Sequence, residues 1–136
     1  EIAYKLWVEL STRKIGLMFE EEHDVITEVY NSWYEFFMIA RELLKEIPVS
    51  RLPYSNDLIA LTEKVLNKGL RPHLTTWQAK YRRWYDRESS TNTTDTPQEM
   101  QQKYPEYAEL VKDLRATNDR MIAYKDIMKK IAFGEK

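Results

Sequence analysis

The sequence predicts an all-α protein: an elongated four-helix bundle, mostly antiparallel, with one extra short helix and a kinked third helix. Three observations carry this. The 136 residues hold only three glycines and five prolines, too few for the tight turns of a multi-strand β fold. Strong helix formers such as Leu, Glu, Lys, Arg, Ala and Met are plentiful. Apolar residues recur at spacings of three and four over long runs. Residues 1–136 have the length of a single domain, enough for a hydrophobic core without staples. The absence of cysteine removes disulfides, thiolate catalysis and Cys-ligated zinc.

The first helix is expected from Ile2 to about Phe19. Ala3, Trp7, Leu10 and Leu17 share one face, with Tyr4, Val8, Ile15 and Met18 beside it, and Gly16 weakens its end. The second opens on the acidic run Glu20–Asp24, which suits the positive end of the helix dipole. Its stripe is Ile26, Val29, Tyr30, Trp33, Phe36, Phe37, Ala40, Leu43, Leu44 and Ile47, and Pro48 stops it. Ser55 or Asn56 is the expected cap of the third helix. Its stripe begins with Leu58, Leu61, Val65 and Leu66. Gly69 and Pro72 then predict a kink, after which Leu70, Leu74, Trp77, Tyr81 and Trp84 resume the stripe.

The run "SSTNTTDT" reads as a loop. Thr96 with Glu99 forms a capping box, and Pro97 suits the first helical position, so a short helix to about Lys103 follows. Pro105 starts the last long helix, with Tyr107, Leu110, Val111, Leu114, Met121, Ile122, Met128, Ile131 and Ala132 inward and Gly134 just past its end. No apolar run reaches the roughly 18 residues that span a bilayer.

A formal net charge of −1 lacks the global positive balance of a polyanion binder. Cations nevertheless gather around the third helix, and Lys68, Arg71, Lys80, Arg82, Arg83 and Arg87 form the candidate anion-binding set. On a helical wheel Trp77, Tyr81 and Trp84 fall with Leu70 and Leu74, away from the arginines. Single-strand binding would need rings and cations on one surface. Carboxylates of the second and last helices, such as Glu35, Glu46, Glu106 and Asp113, are the expected partners of these cations.

Glu20 and His23 make one Glu-x-x-His element, but Leu70 stands three residues before His73, so the second half of a di-metal site is missing. No metal or cofactor is expected. The nucleophile elbow, Walker A loop and dinucleotide fingerprint are absent from the sequence, which is read as non-enzymatic. A small-molecule pocket at the kink, lined by Trp33, His73 and Trp77, is a further candidate.

The stretches "AYKLWVELSTRKIGL", "VYNSWYEFF" and "LNKGLRPHLTTWQAKYRRWY" resemble uncharacterised bacterial proteins in which a helical domain follows an N-terminal membrane segment. The resemblance implies a cytoplasmic domain tethered to the inner face of a membrane, and it carries over no catalytic residues. The first helix also starts without a capping residue, leaving backbone donors open. An apolar segment of about 20 residues is therefore expected before Glu1, with Lys5, Arg13 and Lys14 on the cytoplasmic side. The leading functional expectation is an interaction or regulatory module that binds a protein partner or a copy of itself.

Overall fold

The structure, a computed structural model, describes residues 1–134. It is 79% helical, with no strand among the described residues, which fulfils the all-α expectation. The elements are α1 (Ile2–Thr12), α2 (Ile26–Lys45), α3 (Leu52–Lys64), α4 (Arg71–Thr91), α5 (Pro97–Gln101) and α6 (Tyr107–Phe133). A 3₁₀ turn (Val49–Arg51) leads into α3, and a π turn (Val65–Leu70) joins α3 to α4 without a break.

Side-chain pairs fix the directions. Lys5–Glu46 and Arg13–Glu35 run α1 antiparallel to α2. The Tyr30–Tyr81 ring pair and Arg71 over Phe37 do the same for α2 and α4. Thr62–Tyr124, His73–Asp113 and Lys80–Glu106 lay α6 antiparallel along α3 and α4. Trp7 against Phe133 closes α1 onto α6. The four long helices thus alternate up and down as a bundle. Its core is one continuous apolar cluster with Leu6, Leu10, Tyr30, Trp33, Phe36, Tyr81, Leu110 and Leu114 at the centre.

Several boundaries differ from those expected. α1 stops at Thr12, where Arg13 turns extended (φ −119°, ψ 154°). Residues 13–19 fold back instead, burying Ile15 and Phe19 and leaving Leu17 and Met18 exposed. Asn118 on α6 holds this segment. Its Oδ1 accepts from the Phe19 N–H at 2.9 Å, and its Nδ2 donates to the carbonyls of Lys14, Ile15 and Leu17 at 3.0–3.3 Å. The Lys125 ammonium adds a 2.7 Å bond to the Gly16 carbonyl.

The acidic run does not start α2; it forms its own turn, with the Asp24 N–H donating to the Glu20 carbonyl at 2.8 Å. α2 begins at Ile26 and has no cap from its own chain segment. Gln101 of α5 supplies one: its Oε1 accepts from the Ile26 N–H and its Nε2 donates to the Asp24 carbonyl, both at 2.9 Å. α3 starts at Leu52 with Pro53 in its first turn, ahead of the expected Ser55 or Asn56. The capping box of Thr96 and Glu99 forms as the sequence indicated, and Gly134 ends α6 at φ 65°.

The kink at Gly69–Pro72 takes the form of the π turn. Pro72 has no N–H to give, so the ladder there must be rearranged. The Arg71 N–H reaches back to the Leu66 carbonyl, five residues away, and the helix continues.

Candidate interaction groove and the buried relay beside it

The π turn brings two arrangements close together, one inside the bundle and one on its surface. His73, in the first turn of α4, points inward and is 1% exposed. Its Nδ1 lies 2.7 Å from Asp113 Oδ2 on α6, and its Nε2 lies 2.8 Å from Tyr30 Oη on α2. Trp77 Nε1–H donates to the same Asp113 oxygen at 3.2 Å. An oxygen that accepts from Trp77 leaves the Nδ1 proton on the imidazole. The neutral ring therefore donates to Asp113 and accepts from the Tyr30 hydroxyl, so each group is satisfied.

Burial lowers the His73 pKa below the ordinary imidazole value, against the hydrogen bond and charge of Asp113, and the Arg120 cation lowers it further. Burial also pushes the Tyr30 phenol far upward, so it remains a donor. The unfolded chain takes up a proton near the imidazole value of about 6.5, whereas the folded one resists it. The unfolded state then binds more protons, so His73 leaves stability intact above about pH 6.5 and erodes it as pH falls from there toward the lowered folded value. Urea denaturation at about pH 7.5 and pH 5.5 is expected to show a larger loss for the wild type than for His73→Gln. Equal losses would show that the relay does not resist protonation.

A tyrosine–histidine–aspartate order serves nucleophilic chemistry where the hydroxyl meets a substrate. Here the hydroxyl is at the closed end. Tyr30 is 1% exposed, wrapped by Trp33, Tyr81 and His73, and the open end is Asp113. The three residues read as a pocket, Trp33, His73 and Trp77, do come together: the Trp33 and His73 rings lie 5.7 Å apart, and Trp77 shares Asp113 with His73. They meet as buried side chains of the core, beside the π turn that joins α3 to α4.

The six cations read as an anion set do not converge. Arg71 lies over the Phe37 ring and bonds Asn67, and Arg82 bonds Asn31, so both face α2. Lys80 covers the Trp77 ring and pairs with Glu106, facing α6. Arg83 and Arg87 are exposed without an ion pair among the described residues. Lys68 alone borders the groove described next. The carboxylates in and just after α2 pair largely elsewhere: Glu35 holds Arg13 at the end of α1, Glu46 holds Lys5, and Glu42 holds Lys45. Tyr124 of α6 is buried and bonded to Thr62 at 2.7 Å.

On the surface, a groove of about 300 Å³ runs between α3, the π turn and α6. Leu61, Val65 and Gly69, four residues apart, line one wall. Ala123, Tyr124 and Ile127 line the other. Lys64, Lys68 and Arg120 stand at its edges, and no carboxylate lines it. Ile127 is 40% exposed, and Ile131 continues the same apolar face of α6 one turn on, 50% exposed. No family model, curated protein or solved structure matches the chain, so the geometry alone carries the functional argument.

Gly69 lies in one wall of the groove. Its φ is not positive, and an added Cβ would meet only Val65 Cγ1, at 3.9 Å. Neither backbone conformation nor packing therefore demands glycine here. A helical glycine costs about 1 kcal/mol relative to alanine. The fold gives up that stability at a position that lines the groove.

Sequence reasoning named Leu61, Val65, Lys68 and Gly69 separately, as stripe, cation and breaker. The groove was hidden because its second wall lies more than fifty residues away on α6.

Proposed function

We propose that this chain is a non-enzymatic interaction module that seats a helix of a protein partner in the groove between the π turn and α6. The observation that carries this reading is the groove itself: two apolar walls with residues at helical spacing, one of them carrying an unforced glycine. An amphipathic helix presents anchors at i, i+3, i+4 and i+7, which is the pattern two facing helices accept. The resemblance to membrane-tethered bacterial proteins supports a cytoplasmic site of action on the inner face of a membrane.

Selection from a library of helical peptides, with the bound site mapped by amide chemical shifts, tests the reading. Selected peptides are expected to shift Gly69, Ala123 and Ile127, and Ile127→Asp is expected to abolish binding while the fold persists. Peptides that map to another face, or a groove occupied by a second copy of this chain, would overturn it. Gly69→Ala separates stability from function: it is expected to stabilise the fold by about 0.5–1 kcal/mol while weakening peptide binding several-fold.

A further inference from the structure

The geometry points to an acidic amphipathic helix as the occupant: its apolar stripe lies between Leu61, Val65 and Ile127, and its flanking carboxylates meet Lys64, Lys68 and Arg120. This rests on the docking reading above and adds the chemistry of the partner. Seven of the 21 lysines and arginines are matched by carboxylates in ion pairs among the described residues, and what sets three of the others apart is that they line one apolar groove that no carboxylate enters. Lys5, Arg13, Lys14, Lys45, Lys80, Lys103 and Arg115 all stand in ion pairs. Lys64, Lys68 and Arg120 are in none of the ion pairs found among the described residues. Among the described residues Arg120 makes only a bond within its own helix, to Thr117 Oγ1 at 3.2 Å.

The three come from two helices and border one apolar surface. Lys64 and Lys68 lie four residues apart, about 6 Å along the helix axis, the rise that separates carboxylates at i and i+4 of an antiparallel or parallel ligand helix. A basic helix would bring like charge against all three, a juxtaposition that excludes wrong partners. The shape decides against other anions. A single-stranded nucleic acid needs exposed rings for stacking, whereas the walls are aliphatic and the one ring among them, Tyr124, is buried, and a duplex is held by phosphate contacts along a cationic surface rather than by an apolar groove. A lipid surface is met by protruding apolar residues, whereas this surface is concave.

The test uses two labelled peptides of about 18 residues, five helical turns, with one shared Leu/Ile stripe and either Glu or Lys on both flanks. Binding is measured by fluorescence anisotropy, with amide shifts as the map. The Glu-flanked peptide is expected to bind about tenfold tighter than the Lys-flanked one at about 0.05 M salt, with the advantage shrinking toward unity at about 1 M as charges are screened. The exposed double variant K64E/K68E is expected to reverse the preference without changing the melting midpoint. If both peptides bind the groove equally and both are lost in Ile127→Asp, the docking reading stands and the acidic partner is wrong. If neither binds, or the shifts lie elsewhere, both fall. Oleate binding the groove more tightly than either peptide would replace the helix with an acyl anion.

Discussion

Gly16→Ala is expected to destabilise the fold by roughly 3 kcal/mol or more and to lower the melting midpoint by about 10 °C. The reason is space. A Cβ at Gly16 would overlap the Leu10 carbonyl oxygen and come within 2.9 Å of Leu10 Cβ. The atom in the way is backbone of α1, fixed by the helix it belongs to, so the chain rather than a side chain must give. Gly16 has no positive φ, so the demand is for close approach and not for a left-handed conformation. Thermal melts followed by circular dichroism check this. A loss below about 1 kcal/mol would mean that residues 13–19 fold back less tightly on α1.

Asn118→Ala is expected to cost about 3 kcal/mol, because one side chain accepts from a buried N–H and shares its two amide protons among three carbonyls, and buried groups left without a partner are penalised. The isosteric Asn118→Asp is expected to be worse than alanine at neutral pH. It keeps an acceptor for the Phe19 N–H but turns a carboxylate toward three carbonyl oxygens. Acidification should narrow the gap between the two variants, since the protonated acid regains a donor. Urea titrations compare the stabilities, and amide exchange at Phe19 locates the damage. Protection of Phe19 unchanged in Asn118→Ala would show that the fold-back segment is held by its apolar residues alone.

Much of the fold was legible because burial and periodicity coincide in the long helices. Every stripe residue read for α2 from Ile26 to Leu43 is buried, and Leu44 is half-buried. Leu66, Leu70, Trp77 and Tyr81 are buried as read, whereas Trp84 is only half-buried. Errors gathered where a distant side chain replaces a local signal. The start of α2 depends on Gln101, some seventy-five residues on, and no nearby cap marks it. The end of α1 depends on Asn118, about a hundred residues on, so the apolar spacing through Leu17 and Met18 looked like more helix. The relay has the same character. His73 drew notice beside a proline, but Asp113 looked like a rim carboxylate and Tyr30 like plain core, and only their meeting across three helices gives them a joint role.

From Thr62 to Tyr81 the inward positions are Thr62, Leu66, Leu70, His73, Trp77 and Tyr81. These five steps take nineteen residues, where five turns of α-helix take about eighteen. The π turn absorbs the surplus residue. It works like a phase shifter in a screw thread: without it, everything beyond Leu70 would be rotated by about 100°, turning His73 and Trp77 out of the bundle. The chain therefore carries a built-in site for a change of length. Loss of one outward residue such as Asn67 would turn the π turn into ordinary helix and leave both halves facing inward, whereas the same loss elsewhere in α3 or α4 would put the downstream face out of step with α2 and α6.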